Sequence, residues 1–298
     1  MISPTRYGVS FSIKRCSNFK IDPKKTLGWL IHDMGFRRFR LMSYWNEIEK
    51  EPGAYDFSEL DRQIAAIAKV SGEITLCVGA RQPRWPENHW PDWAWKLTKE
   101  QRSKALLAFI TVTIERYLKH TVIVSWQLEN EALLDSFGTR SEIDRSRLRQ
   151  EYTLAQKIDA KRPIIMTTST SWGIPLRSPI PDIIGFSLYN IVFNKDKYRR
   201  SLYFSTIFKF RAFLVKLIYK KPCFIHELQL EPWGPKAIWE MSVSEQNKSM
   251  NIQQIAKNLA IARSTKLYPI DLWGGEWWYW RMKHGDTSIA ETVRQHLE

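Results

Sequence analysis

The sequence predicts an α/β fold, a closed (β/α)8 barrel of the TIM type, from three observations. Short apolar runs rich in β-branched residues alternate along the chain with segments of helical periodicity. Eight such runs occur, and continuous apolar strands joined by helices are typical of a parallel sheet that helices cover. The chain has 298 residues, enough for the ~250 that such a barrel typically needs.

The predicted strands and helices alternate along the chain, except between the fifth and sixth strands. The strands are expected at 7–12, 39–42, 74–79, 122–128, 164–168, 183–188, 223–227 and 270–273. The helices are expected at 23–34, 58–70, 99–119, 141–159, 202–219, 251–264 and 288–297. Start signals support several helices, since Asp22 precedes Pro23, and Asp56 and Ser58 can accept the free amides of a first turn. Residues 169–182 are rich in Pro and Ser and predict no helix.

One domain over residues 1–298 is the simplest organisation, because no linker or low-complexity stretch divides the chain. An open doubly wound sheet is the alternative fold, but no Gly-x-Gly-x-x-Gly follows the first strand. The three cysteines lie far apart, so no disulfide is expected. Neither a signal peptide nor a long apolar span is visible, which predicts a cytoplasmic protein, or an extracellular one if a leader precedes this sequence.

Two predicted strands end on acidic residues. The run from Val124 ends in the pair Asn130-Glu131, and the run from Lys221 ends at Glu227. Catalytic residues of (β/α)8 barrels lie at the carboxyl ends of the strands. Two carboxylates there suit a glycosidase, in which one protonates the leaving oxygen and the other attacks the sugar or stabilises its cation. The sequence therefore predicts hydrolysis of glycosidic bonds.

The other predicted loops at this end of the barrel are polar and rich in tryptophan, of which the chain has fourteen. Flat aromatic rings suit the C–H faces of pyranose rings, and carboxylates suit their hydroxyl edges. The residues expected to contact sugar in this way are Trp45, Trp85, Trp273 and Glu276. The alternative is that the large aromatic side chains simply close the barrel as core.

Metal, nucleotide and serine-hydrolase chemistries lack their motifs. The six histidines show no His-x-x-x-His spacing, and no Cys-x-x-Cys, Gly-x-x-x-x-Gly-Lys-Ser/Thr or Gly-x-Ser-x-Gly sequence occurs. We therefore expect no metal and no cofactor.

The ordered motifs carry a family resemblance over nearly the whole chain. They are the segments 39–45, 49–61 and 83–86, then Asn130-Glu131, Glu227 and the tryptophan-rich segment after the eighth strand. In this order the chain resembles the clan of retaining (β/α)8 glycosidases, which includes cellulases, mannanases, β-galactosidases and β-xylosidases. That clan carries its acid/base after strand four and its nucleophile after strand seven.

The resemblance implies a role for each matching residue. Glu131 would be the general acid/base and Glu227 the nucleophile. Asn130 would bind the hydroxyl next to the reacting carbon, and Arg40 and Tyr189 would keep Glu227 ionised and oriented.

Neighbouring residues compete for these roles. Strand alternation points Glu129 away from the side that Asn130 faces, so it is interpreted as structural. Glu231 follows the seventh strand and is the alternative nucleophile. His226 is expected to point to the opposite side of the strand from Glu227 and to be packed and hydrogen-bonded.

The net charge of +14 needs its own explanation, because a neutral glycan does not require it. The densest basic stretch, residues 195–221, has nine Lys or Arg and one acid. Within it, the apolar segment 202–219 predicts a peripheral membrane contact, an oligomer contact or a well-buried helix. An anionic glycan would also exploit a positive field. Nucleic acid is not expected as a partner, since no recognition motif accompanies the charge.

A non-catalytic carbohydrate-binding barrel, attached to a membrane or wall, is the alternative function. The carboxylate pair argues against it. The sugar, the linkage, endo or exo cleavage, hydrolysis or transglycosylation, and the oligomeric state stay open at this point.

Overall fold

Eight strands close into a barrel, which confirms the predicted fold class. The computed structural model describes residues 6–134, 138–139, 142, 144–169, 179–201 and 205–297. The barrel strands are β1 (Tyr7–Ser10), β2 (Arg38–Met42), β3 (Glu73–Val78), β4 (Ile123–Leu128), β5 (Ile164–Thr168), β6 (Ile183–Leu188), β9 (Cys223–Gln229) and β10 (Ile270–Trp273). Around the barrel their order is β1, β10, β9, β6, β5, β4, β3, β2. Each was predicted from the sequence.

All seven predicted helices are present. They are α2 (Pro23–His32), α4 (Ser58–Ala68), α5 (Lys99–Tyr117), α6 (Arg145–Ile158), α7 (Ser205–Tyr219), α9 (Ile252–Thr265) and α11 (Ser288–Leu297). Asp22 caps α2 as predicted, its side chain accepting the N–H of Lys25 at 3.0 Å. Residues 202–204 of the predicted helix 202–219, and 170–178 of the predicted helix-free segment, lie outside the described residues.

Several short elements escaped prediction. They are α1 (Ile13–Phe19), α3 (Trp45–Ile48), α8 (Val243–Asn247), α10 (Gly275–Lys283), two 3-10 helices (Asp92–Lys96 and Ile238–Glu240), and an antiparallel hairpin of β7 (Ile191–Asn194) with β8 (Lys197–Arg200). Most span only one or two turns, too short for an apolar periodicity to be recognised.

The chain forms two compact units, which we call the terminal unit (Met1–Phe39 with Gly185–Glu298) and the middle unit (Arg40–Ile184). In the terminal unit β10 pairs in parallel with β1 and β9. In the middle unit β4 pairs in parallel with β3 and β5. The expectation of a single domain stays a prediction.

Helix α5 shows how the middle unit follows from its sequence. A capping box starts the helix, because Thr98 and Gln101 satisfy each other's backbone N–H groups. Its apolar face is buried and packs beside α6. Phe109 on this face stacks on Trp45 at a centroid distance of 5.4 Å.

In the terminal unit, α10 replaces the loop expected after the eighth strand. Gly274 precedes the helix at φ 139°, where a Cβ atom would lie 2.6 Å from the Leu230 carbonyl oxygen, so this turn needs glycine. Trp277 and Trp278 on α10 are fully buried. Their indole N–H groups donate to Gln246 Oε1 at 2.9 Å and to the Leu230 carbonyl at 2.8 Å. These tryptophans are core, which corrects the expectation of a sugar-binding loop here.

A buried ion pair lies within the strands of the terminal unit. Arg38 Nε donates to Asp271 Oδ1 at 2.9 Å, and both side chains are nearly inaccessible to solvent. Gly8 on β1 leaves the space, since a Cβ atom there would lie 2.2 Å from that same oxygen. Breaking a buried ion pair on one side costs far more than replacing both partners, because the remaining charge is left without its partner.

We therefore expect Asp271→Ala to lower the free energy of unfolding by about 3–5 kcal/mol. The double variant Arg38→Met/Asp271→Leu, which removes both charges, should lose less than that single variant. Guanidinium unfolding curves measure both. Equal or larger losses in the double variant would mean that the ion pair itself, rather than an isolated charge, governs stability here.

Candidate active site

The carboxamide of Asn130 is held by hydrogen bonds on both of its ends. Its Oδ1 accepts from Arg40 Nη2 at 3.0 Å and from Thr167 Oγ1 at 3.2 Å. Its Nδ2 donates to Glu87 Oε2 at 3.1 Å. All four side chains are buried. Because a cation and a hydroxyl hold the amide oxygen while a carboxylate holds the amide nitrogen, the orientation of the carboxamide is determined within the middle unit.

Glu131 follows directly, at the turn that ends β4. Its backbone N–H donates to Thr167 Oγ1 at 2.8 Å, so one threonine holds both members of the Asn-Glu pair. Glu131 has φ 45°, a left-handed conformation that non-glycine residues adopt rarely and mostly where the surroundings impose it. Unlike Asn130, Glu131 is only partly buried. A carboxyl group in this position can meet both solvent and a ligand.

Glu129 has the structural role predicted for it. Its carboxylate is buried and accepts the backbone N–H of Ala80 at 3.0 Å and that of Arg81, and so joins the loop after β3 to the end of β4. Gly79 permits this approach: it has φ 114°, and a Cβ atom there would lie 2.6 Å from Glu129 Oε1. A side chain at position 79 would therefore displace the Glu129 carboxylate, so this position of Glu129 requires glycine at 79.

A second carboxyl group lies behind Glu129. Glu151 on α6 is fully buried, and its Oε1 accepts from Arg147 Nε at 2.9 Å. Burial and the negative charge of Glu129 raise the pKa of Glu151 well above its usual value. Burial also raises the pKa of Glu129, although Arg147 and the two backbone N–H groups oppose that rise. Of the two carboxyl groups, Glu151 has the pKa that is raised further, so a shared proton favours Glu151.

In the terminal unit, Glu227 is buried near the end of β9 and has partners on both oxygens. Tyr189 Oη donates to its Oε2 at 3.0 Å. The ring of Trp233 contacts Tyr189 edge-on, with centroids 5.5 Å apart. The chain directly after Tyr189 is held by Gln229, whose Oε1 accepts the Asn190 N–H at 2.8 Å. The phenol is thus aimed at Glu227 by groups on β9 itself.

His226 corrects one expectation from strand alternation. Instead of pointing away from Glu227, its Nε2 lies 3.5 Å from Glu227 Oε1 and 3.4 Å from Ser187 Oγ. The imidazole is fully buried. Gly185 on β6 makes room for it, since a Cβ atom there would lie 2.8 Å from His226 Cβ. Glycine at 185 therefore leaves the space that the imidazole of His226 occupies.

The other predicted contact residues differ widely in exposure. Trp85 is 59% exposed, so the face of its ring can contact a ligand. Trp45 is fully buried and its Nε1 donates to Glu49 Oε2 at 2.5 Å, so its role is packing. Trp273 is 6% exposed. Glu276 is fully buried and accepts the Ser12 N–H at 2.5 Å, which corrects the expectation that it contacts a sugar hydroxyl.

Glu231, the alternative nucleophile, forms an ion pair with Arg15 at 3.0 Å and is buried. Arg15 also lies over the ring of Trp239, 5.6 Å from its centroid. The carboxylate is held by α1 rather than by the residues that hold Glu227.

Sequence reasoning missed Thr167 and Glu87. Thr167 lies within a predicted strand, where threonine is a common strand former, so nothing marked it as functional. Glu87 lies in the loop after β3 at φ 68°, and loop conformations are not readable from composition. Two glycines beside the site residues, Gly79 and Gly185, were the only sequence feature that could have indicated close side-chain contacts at these positions. Among the described residues no group of three or more His, Cys, Asp or Glu side chains could hold a metal ion.

A family model described as glycoside hydrolase family 42, β-galactosidase, matches residues 29–160, somewhat less than half of the chain. The match spans β2 to α6 and includes Asn130 and Glu131. It ends before Glu227.

Solved structures of glycosidases share the fold. An endo-β-1,4-xylanase of family 10 from Gloeophyllum trabeum aligns with 99% of this chain and 97% of its own, at 15% identity and a TM-score of 0.66. Xylanase 10B from Thermotoga petrophila aligns over 91% and 81%, at 15% identity and a TM-score of 0.63. A β-galactosidase from Halorubrum lacusprofundi aligns over 90% of this chain but 52% of its own, at 14% identity and a TM-score of 0.61. The identities are low, so these likenesses establish the fold alone.

The protonated Glu151 predicts how stability changes with pH. A pKa raised by folding means that the native state keeps a proton which the unfolded state loses, so stability falls as pH rises above about 4.3, the usual value for Glu. The amide introduced by Glu151→Gln has about the same size and cannot ionise. We therefore expect the stability of Glu151→Gln, relative to wild type, to rise between pH 5 and pH 8, by up to about 1.4 kcal/mol per pH unit.

Thermal melts across that pH range test this prediction. The exposed Glu291→Gln provides the matched control, because it makes the same substitution on the surface of α11. A constant difference between Glu151→Gln and wild type would show that Glu151 is ionised in the folded protein.

Proposed function

We propose that this chain, a (β/α)8 glycoside hydrolase acting on β-glycosidic bonds by its fold and its family match, works through Glu131 as general acid/base and Glu227 as nucleophile. The observation that carries the assignment is the hydrogen bond from Tyr189 Oη to Glu227 Oε2. A buried carboxylate with a dedicated phenol donor is suited to attack, and a partly exposed carboxyl group is suited to proton exchange.

The first step would form a covalent glycosyl-enzyme. A Glu227 oxygen attacks the anomeric carbon while the bond from that carbon to the leaving oxygen breaks, and Glu131 gives its proton to the departing oxygen. The hydrogen bond from Tyr189 favours the charged form of Glu227 before attack. Attack and protonation by different residues require different environments, which the burial of Glu227 and partial exposure of Glu131 supply.

In the second step water would be the attacking group, Glu131 would act as a base, and Glu227 would be the leaving group. Glu131, now ionised, takes a proton from a water molecule whose oxygen attacks the anomeric carbon, and Glu227 leaves as a carboxylate. Two inversions at one carbon give net retention of the β configuration. A second sugar in place of water would give transglycosylation by the same chemistry.

Asn130 is proposed to bind the hydroxyl next to the reacting carbon. Its carboxamide is held by Arg40, Thr167 and Glu87, so it is oriented before the substrate arrives. Preorganised polar groups stabilise a transition state without being reoriented during the reaction. Arg40 would thus act on the reaction through Asn130 as well as by its charge.

The partner is proposed to be an oligo- or polysaccharide, with the exposed ring of Trp85 as a stacking surface for a sugar. Trp45 and Glu276 are left out because their functional atoms are used within the fold. Trp273 is kept as a sugar contact only at its small exposed edge. The cytoplasmic location expected from the sequence stays a prediction.

Carboxylate variants test the assignment on a panel of β-linked glycans and aryl β-glycosides. Glu227→Ala should lower kcat by about 10³-fold or more on every substrate, because attack is lost. Glu131→Ala should lose about 10²–10⁴-fold on glycans but far less on dinitrophenyl glycosides, whose leaving group needs no proton. Proton NMR of the first-formed product should show the β anomer.

Glu231→Gln is the matched control for Glu227→Gln, since both carboxylates are buried and follow or end the same strand. An inactive Glu231→Gln beside an active Glu227→Gln would transfer the nucleophile to Glu231. Absence of activity in wild type over the whole panel, together with glycan binding by calorimetry, would favour the non-catalytic carbohydrate-binding barrel.

Tyr189→Phe isolates the supporting hydrogen bond. Removing a donor from a charged acceptor costs about 1.5–3 kcal/mol, so kcat should fall by about 10- to 100-fold. KM should change little, because the phenol is proposed to act on Glu227. A rise in KM with unchanged kcat would instead make Tyr189 a substrate contact.

A further inference from the structure

Helix α7 exposes four large apolar side chains on its surface. Phe210, Phe213, Leu217 and Ile218 are 52%, 59%, 57% and 52% exposed. The first three follow the spacing i, i+3, i+7 and form one stripe along the helix, with Ile218 to one side. In the part of the chain that the structure describes, the other exposed large apolar residues are scattered over separate elements: Trp85, Leu118, Leu133, Val243 and Ile252. Scattered residues are ordinary on protein surfaces, whereas a continuous stripe marks an interaction site.

The stripe is separate from the face with which α7 packs on the barrel. Phe208, Arg211 and Val215 are buried on that inner face. Phe208 contacts Phe186 of β6 at a centroid distance of 6.3 Å, and Arg211 lies over the Phe186 ring at 4.2 Å. Helix α7 therefore packs on the barrel through its inner face, and this packing does not require the exposed stripe.

A row of lysines borders the apolar stripe. Lys209, Lys216 and Lys220 are exposed; at 3.6 residues per turn Lys209 and Lys216 fall on one edge of the stripe, and Lys220 follows directly after the helix. Helix α7 contains no Asp or Glu. We call these seven residues, the four apolar side chains and the three lysines, the α7 face.

We propose that the α7 face docks on the surface of an anionic lipid bilayer. The apolar stripe would enter the boundary between headgroups and acyl chains, while the lysine row contacts the anionic headgroups. No described helix is long and apolar enough to cross a bilayer, so the contact is peripheral. The net charge of +14 has the sign that an anionic surface attracts, although screening leaves most of the attraction to the lysines that touch the bilayer.

Charge complementarity selects lipid over a second copy of the chain. A symmetric pairing of two α7 faces would bring together two helices that carry lysine and arginine but no acid. Like charges across an interface cost several kcal/mol, about as much as small apolar stripes return. An anionic bilayer instead neutralises the lysines and accepts the phenylalanines at once.

Vesicle cosedimentation of the full chain tests the proposal. We expect binding to vesicles of equal parts phosphatidylglycerol and phosphatidylcholine, much weaker binding to pure phosphatidylcholine, and a loss of binding with added salt. The triple variant Phe210→Ser/Phe213→Ser/Leu217→Ser should lower the partition coefficient by about 30-fold or more. The triple variant Lys209→Gln/Lys216→Gln/Lys220→Gln should lower it by about fivefold per lysine and flatten its salt dependence.

Matched control variants remove lysines or apolar side chains from surfaces outside the α7 face. Lys24→Gln/Lys69→Gln/Lys104→Gln deletes three exposed lysines outside α7, and Val243→Ser/Ile252→Ser deletes exposed apolar side chains on α8 and α9. Both should bind anionic vesicles within about threefold of wild type, since overall charge acts weakly at a distance beyond the Debye length. Circular dichroism melts verify that every variant is folded, and Phe213→Ser alone replaces the triple variant if the latter unfolds.

Three results would overturn the proposal. They are equal binding to neutral and anionic vesicles, α7 variants that bind like their controls, and no binding of wild type to either vesicle. Sedimentation velocity gives the rival outcome directly: a wild-type dimer that the apolar variant makes monomeric would assign the α7 face to a second copy. The experiment measures lipid binding alone, so its failure and the failure of the catalytic proposal are independent.

Discussion

The arrangement at the strand ends depends on one constraint, that a charged group taken out of water must have a partner. Glu129 is buried where β4 ends and meets this constraint with two backbone N–H groups of the loop after β3. Its position fixes that loop, which also carries Glu87 to the amide of Asn130. The cation of Arg147 on α6 opposes the rise in the pKa of Glu129, and burial beside Glu129 raises the pKa of Glu151. Rigid placement of the Asn-Glu pair is thus a consequence of burying charge.

The same constraint explains why the two proposed catalytic carboxyl groups have different environments. Glu227 is buried and receives a phenol donor, so its charged form is supported inside the protein. Glu131 is held through its backbone by Thr167, and its carboxyl group stays partly exposed. The side chain of Glu227 thus has a phenol donor, and the main chain of Glu131 has a threonine acceptor. A nucleophile needs fixed oxygens, and an acid/base must exchange protons with solvent.

Glycine has a related role in both units. Gly79 and Gly185 each lie beside a polar side chain that occupies the volume where a Cβ atom would be, Glu129 in one case and the His226 imidazole in the other. Any side chain at these positions would displace a group next to the proposed catalytic residues. The α7 face shows the opposite situation, in which four large apolar side chains are left exposed. Exposing these apolar side chains to water is unfavourable, which is a reason to expect a partner at the α7 face.

The eight barrel strands and seven of the helices could be predicted from the sequence, because the periodicity of apolar residues is a local property that burial imposes. The strand-end acids Glu131 and Glu227 were recognisable for the same reason, since each follows such a run. Thr167, Glu87 and the turn of His226 toward Glu227 were decided by the tertiary structure alone. So was the burial of Trp45 and Glu276, which their positions after predicted strands had suggested for sugar binding. Which side chains meet across strands and loops depends on contacts between residues distant in sequence, and no local pattern encodes these.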